Sequence, residues 1–356
     1  MKLQIRRLTP IDIFTITIVI VMGIVFVNYG MIDKLILNNW YSDQHYYKLS
    51  YEGVPVGTYF EKGYVLLCSI SSRLGLSYLQ FKIAFFIAAA VLVYFSIGGY
   101  EISYVPVLLL YFFSSFQADL EQTRNFIAMS VVIFALRYLP EERRCLKNAI
   151  LYILLIMLAS TIHTSALFFV VFILVYAKGL YKYLDCLFVF ILFFCLLVKI
   201  EPSILNLVGD VMYAVTNNER AKMWASFTTG LGFYACVFLH GFLLLILRQQ
   251  INQFSRLQSF SSERRIDFYM TMYRCLQLLS LAMPLYLLST EFLRLFRSLF
   301  IVYYVVIAIG LDEINSATTT RDYKYIYGIE AALFVAAYVF VFNPMGITYA
   351  YLSAVY

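Results

Sequence analysis

The chain has 356 residues, 62% hydrophobic, 18% aromatic and only 13% charged, with a net charge of +6. Ordinary globular chains carry about 25% charged residues, so this composition argues against soluble domains. The small net charge is spread over short connections, which excludes a nucleic-acid footprint and reads as topology information.

A membrane span needs about 20 mostly apolar residues to cross about 30 Å of hydrocarbon, and such runs follow one another nearly end to end. The pattern predicts an all-α fold, a polytopic transmembrane bundle of about eleven to thirteen helices, some short or broken. Residues 1–356 read as a single integral membrane domain. The first apolar stretch, Ile11–Tyr29, follows basic residues but is longer than a signal peptide's apolar region, so a retained first helix is expected. A polar, aromatic segment follows, 30–62. Leu79–Gly98, Ile102–Gln117 and Thr123–Leu139 read as spans, and Ala149–Thr161 and Ser165–Ala177 as a pair of short helices around His163. Leu184–Val198, Leu231–Leu247, Phe268–Leu288, Leu293–Leu311 and Tyr325–Phe342 complete the series. The stretch 248–267, rich in Ser, Gln and Arg, reads as a loop.

Basic connections stay in the cytoplasm. From Arg143 onward Lys and Arg fall on alternate connections, which puts 30–62, the turn at His163, the loop 199–230 and the turn at Glu291 outside, and the N-terminus and 248–267 inside. This count leaves one crossing too many before Arg143. Tyr64–Gly75 is the candidate to remove, since twelve residues make about 18 Å of helix, too short to cross.

Ionisable groups inside apolar spans are costly and therefore informative. Arg124 opens the helix Thr123–Leu139 after Asp119 and Glu121, either facing the outer mouth or anchored by those carboxylates. His163 sits at a break, where freed backbone groups need polar partners. Glu291, Arg294 and Arg297 are spaced by three, so Arg294 shares a helix face with both. Two guanidiniums there suit a phosphate or pyrophosphate, or else snorkel to lipid headgroups. In the segment 30–62, Asp43, Tyr47 and Tyr51 fall at helical spacing, and carboxylates beside aromatics suit sugar rings as well as an interfacial aromatic belt. His240 reads as a packing residue, and Glu330 needs a partner. There is no phosphate-binding Gly-x-x-x-x-Gly-Lys loop, no metal-ligand cluster and no nucleophile elbow. No cofactor or metal is implied.

At these places the chain resembles the EpsG family, membrane polymerases related to the Wzy type. Asp43 with Tyr47, then Glu61–Lys62–Gly63–Tyr64, resembles the family's outer segment. Arg124–Asn125–Phe126–Ile127–Ala128 is similar to its Arg-Gln-x-Ile-Ala helix start, with Asn in place of Gln. His163–Thr164–Ser165–Ala166–Leu167 is similar to its His-x-Ser-Ala-Leu turn, and Arg294 with Arg297 to its late arginine helix.

The resemblance implies a multi-pass enzyme of the bacterial cell membrane. It would join undecaprenyl-pyrophosphate-linked oligosaccharide repeat units into capsule, O-antigen or exopolysaccharide by glycosyl transfer on the outer face. Chain-length regulator and flippase are the partners it implies, besides the membrane lipids. On this reading Arg124, Arg294 and Arg297 hold the pyrophosphate, aided by Glu291, while Tyr47 and Tyr51 contact sugar. His163 is the first choice as base, because a free imidazole titrates near pH 6.5. Asp43 and Glu61 are alternatives that nearby arginines would weaken by lowering their pKa. A flippase for the same lipid-linked units, a glycan ligase and a membrane acyltransferase are the rival functions.

Overall fold

The computed structural model describes residues 17–24, 43–54, 60–100, 102–201, 203–216, 229–257, 262–317 and 322–342. The described residues are helical throughout, with no strand among them. Three helices, Tyr78–Ile97, Lys178–Ile200 and Leu231–Gln253, are long and apolar enough to cross a membrane unaided. Thr290–Arg297 with Phe300–Ile314 makes a fourth, bent by 49°. Several other expected spans are present as shorter apolar helices, including Tyr104–Phe113, Thr123–Leu136 and Leu146–Ile162, whereas the expected span Phe268–Leu288 is broken into Glu263–Leu279, Ser280–Ala282 and Met283–Leu288. The molecule is an all-α membrane protein.

Its surface explains why. From Cys186 to Leu197 on the helix Tyr181–Ile200 the outward residues are apolar, with Phe190 66% and Phe193 61% exposed. In water such a face would drive aggregation; against hydrocarbon it costs nothing. The core lies around the helix Phe300–Ala317, where Phe300, Val305 and Ile309 are fully buried. This helix packs against Tyr104–Phe113, Leu231–Leu257, Glu263–Leu279 and Asp322–Phe342. Tyr304 ties it to Tyr104–Phe113's C-terminal end by donating to Ser114 Oγ at 2.7 Å.

Three connections differ in form from the sequence expectation. The stretch 248–267 is mostly helix: Leu231–Leu257 runs on through it and Glu263–Leu279 begins inside it. Arg and Gln are good helix formers, and a helix does not stop where the hydrocarbon does. Segment 199–230 contains the amphipathic helix Ser203–Thr216, and 30–62 contains Asp43–Tyr51. Most of the expected first span, Ile11–Tyr29, and residues 30–42, 55–59 and 217–228 lie outside the described residues.

The expected non-crossing segment is a 12-residue helix, Lys62–Arg73, ended by Gly75 at φ 75°. Gly63 at its start lies against the break at His163. A Cβ there would stand 2.4 Å from Thr161 Oγ1 and 2.6 Å from Thr161 O, so only glycine permits the approach. After His163 the chain does not resume an α-helix. Thr164–Tyr176 is a 13-residue 3-10 helix, whereas such runs usually last only about three or four residues. Its rise of about 2.0 Å per residue stretches these residues over roughly 26 Å, nearly the hydrocarbon thickness.

Candidate active site

Segments from along the whole chain, from Asp43–Tyr51 to Asp322–Phe342, close around a cavity of about 540 Å³, within the usual range of about 300–1,000 Å³ for ligand pockets. Most such pockets are apolar. This one is walled by Asp43, Tyr47, Arg124, His163, Arg294 and Arg297. The opposite end of the Arg124 helix, at Arg137, sits beside Arg143 and Arg264 in a second, much smaller recess.

Arg124 is placed by a helix restart. The short helix Phe116–Glu121 stops at Gln122, whose ψ of 50° breaks the path, and Thr123–Leu136 starts in a new direction. Neither Asp119 nor Glu121 is the ion-pair partner of Arg124. Asp119 is buried and accepts from Tyr111 Oη at 2.8 Å. Arg124 instead pairs with Glu61, and its guanidinium lies 4.8 Å from the centre of the Phe60 ring and 5.6 Å from that of Tyr47. Its Nε is buried without a hydrogen-bond partner.

Glu61 does not line the cavity. Its other oxygen accepts from Thr164 N–H at 2.8 Å and Thr164 Oγ1 at 3.0 Å, so it caps the 3-10 helix after the break. The Glu61 carboxylate is thus already engaged by a guanidinium and a helix start. Tyr51 is also displaced from the site. Asp43, Tyr47 and Tyr51 share a face, but each four-residue step climbs about 6 Å. After the second step the side chain has left the cavity: Tyr51 donates to Leu76 O at 2.6 Å and packs on Tyr78 and Phe81.

His163 lines the cavity with its ring largely buried. Its Nδ1 accepts from Ser165 N–H at 3.3 Å, with Ser165 Oγ at 2.9 Å. A backbone N–H can only donate, so Nδ1 carries the lone pair and Nε2 the proton. Burial, helped by the charges of Arg124 and Arg294, pushes the imidazole pKa down to about 3. The ring is therefore neutral near pH 7, and the expectation of a free imidazole near 6.5 is corrected.

Asp43 behaves in the opposite way. Its side chain opens onto the cavity, yet the surrounding protein is dense enough for burial to raise the carboxyl pKa above its ordinary value of 3.8. Arg294 and Arg124 pull it down and Glu291 pushes it up, and burial prevails. The expected weakening by arginines is thus outweighed.

The bent span supplies the remaining cations. Arg294 donates to Glu291 Oε2 at 2.9 Å and to Glu291 O at 3.0 Å, the pairing anticipated from their spacing. Arg297 donates to Gln122 Oε1 at 2.6 Å and leaves its buried Nε unpartnered. Asn125 Nδ2 donates to Ser298 Oγ at 3.1 Å, which joins the Arg124 helix to the bend, and leaves Asn125 Oδ1 unpartnered.

A sequence profile described as the EpsG family matches residues 11–353. The chain belongs to the EpsG family. EpsG proteins are Wzy-like polysaccharide polymerases. Neither a curated protein nor a solved structure matches the chain. The match spans every cavity residue named above, so the EpsG assignment and the cavity concern the same part of the chain.

Sequence reasoning missed Gln122, Asn125 and Tyr338 as cavity residues. Gln122 and Asn125 flank the Arg124 motif and could have been included by proximity. Tyr338, on the last described helix, carries no local signal. His240 is a packing residue as expected, its Nε2 3.1 Å from Leu276 O and its ring stacked on Phe296 at 4.9 Å. Glu330 finds its partner in the Gln249 amide, 3.0 and 3.2 Å away.

Proposed function

We propose that this EpsG protein polymerises undecaprenyl-pyrophosphate-linked oligosaccharide repeat units by glycosyl transfer at the outer face of the bacterial cell membrane, building capsule, O-antigen or exopolysaccharide. The observation that carries this reading is the convergence of Arg124, Arg294 and Arg297, from two separate elements, on one polar cavity. Two of the three keep a buried N–H without a partner. A buried donor left unpaired costs roughly 1–3 kcal/mol, and an anion in the cavity would remove that cost.

In the reaction a hydroxyl of the incoming repeat unit attacks the anomeric carbon of the chain held on its lipid pyrophosphate. The new C–O bond forms as the old one breaks, and the electron pair leaves on the pyrophosphate oxygen. Arginines set beforehand around that oxygen stabilise the charge as it grows. Arg297 fits this task through Gln122, which fixes one end of its guanidinium and leaves the Nε edge available. Tyr47 lines the same wall as Asp43 with its ring packed on Phe60 and Tyr64, so it shapes the cavity beside the carboxylate.

The test is the surface polysaccharide of a deletion strain complemented with Arg297→Ala. Single repeat units outside the cell, without a ladder, support the reading. A normal ladder, or units stranded inside, contradicts it.

A further inference from the structure

We infer that Asp43 is the group that takes the proton from the attacking sugar hydroxyl, and that His163 serves the same step as a neutral donor through Nε2–H. This inference rests on the polymerase reading above and assigns the proton within it.

The sequence offers three side chains here as the base, and their hydrogen bonds separate them; Glu291, also on the lining, is held by Arg294. Glu61 is spent on Arg124 and on the amide and hydroxyl of Thr164. His163 has its lone pair on Nδ1, where Ser165 N–H occupies it. For Nε2 to accept a proton, the ring would have to exchange tautomers and Nδ1–H would then face a backbone N–H, breaking the cap of the 3-10 helix. Asp43 remains. It stands at the first turn of its helix, opens into the cavity and makes no ion pair within 4 Å among those described.

The groups around Asp43 fit a base. Tyr47 stands one turn along its own helix, and Tyr64 of the adjacent helix packs on Tyr47 with ring centres 5.8 Å apart. Arg124 faces it from one wall, and Arg294 with Glu291 from the other. Glu291 and burial together raise the carboxyl pKa against the two arginines, so a proton received there is held better than on an ordinary aspartate.

The step balances as follows. The acceptor oxygen bonds the anomeric carbon while its proton moves to the Asp43 carboxylate. The anomeric carbon releases the pyrophosphate oxygen with its electron pair. His163 Nε2–H donates a hydrogen bond to that leaving group and keeps its proton. Asp43 then gives its proton to water at the open side of the cavity, and the site is reset.

The experiment uses the full chain in lipid nanodiscs with lipid-linked repeat units, following polymer length against pH. The wild type should lose rate as pH falls, with a limb above the ordinary carboxylate value of 3.8, because only the ionised Asp43 can accept. Asp43→Asn should fall by roughly 10²–10⁴-fold, the usual contribution of a general base, and lose the limb while still binding the lipid-linked unit. Asp43→Glu should recover part of the rate and keep the limb. His163→Gln, which can donate a hydrogen bond but cannot take up a proton near neutral pH, should lose about tenfold and keep the limb. Full activity in Asp43→Asn, loss of the limb in His163→Gln, or loss of lipid-linked-unit binding in Asp43→Asn would overturn the assignment. A wild-type chain that makes no polymer at any pH would instead overturn the polymerase reading beneath it.

Discussion

The two broken helices that meet at the cavity handle the same difficulty in opposite ways. Each break frees backbone groups that hydrocarbon cannot satisfy. At His163 the freed N–H groups are taken by side chains: Thr164 by Glu61 and Ser165 by the imidazole. At the bend after Arg297 they are taken locally, with Ser298 N–H and Oγ both bonded to Arg294 O and Leu299 N–H to Phe296 O. The first break therefore consumes its polar side chains and becomes rigid. At the second, Arg294 and Arg297 are only partly engaged, by Glu291 and Gln122, and both line the cavity. On the proposed function, one break positions and the other binds. A charged residue at a break is thus informative only once its own hydrogen bonds are known.

The largest effect should come from the binding break. Arg297→Ala and Arg294→Ala should each lower the polymerisation rate by roughly 10²–10³-fold, the cost of losing a preorganised charge stabiliser, measured with purified chain and lipid-linked units. Arg297→Lys should not restore it, because an ammonium cannot hold Gln122 and an anion through a planar fork. Recovery to near wild-type rate with Lys would mean that charge alone suffices there.

Glu61→Ala should act through position. It strands Arg124 and uncaps Thr164, at a cost of roughly 2–3 kcal/mol, below the roughly 3–5 kcal/mol of a fully buried pair because both side chains keep some exposure. Thermal unfolding in detergent reads the loss. Unchanged stability would show that the positioning break does not depend on this carboxylate. Gly63→Ala presses a methyl group into Thr161 and should cost roughly 1–3 kcal/mol by overpacking, seen as a lower unfolding temperature with residual polymer formation. The smallest effect belongs to Tyr51→Phe. It removes one hydrogen bond to Leu76 O, about 1 kcal/mol, and leaves polymer length unchanged. A change in polymer length would return Tyr51 to the sugar site.

Much of this was legible in the sequence, for identifiable reasons. Helical spacing announces the Glu291–Arg294 pair, and apolar length announces both the short helix before Gly75 and the interruption at His163. What the sequence does not carry is the partner of each charge. Arg124 follows Asp119 and Glu121 by a few residues, yet pairs with Glu61, 63 positions away. Arg297 is held by Gln122 across 175 positions. The tautomer of His163 rests on one backbone amide, and the fate of Tyr51 on the climb of a helix. Such outcomes depend on where elements meet, which local periodicity does not encode.

The most direct measurement is reconstitution of the purified chain with lipid-linked repeat units alone, resolving products by length and counting released polyprenyl pyrophosphate. The account predicts a ladder with one pyrophosphate carrier released per bond formed, absent in Arg297→Ala. Units that cross the bilayer without lengthening, or lengthening that survives loss of Arg297, would contradict it.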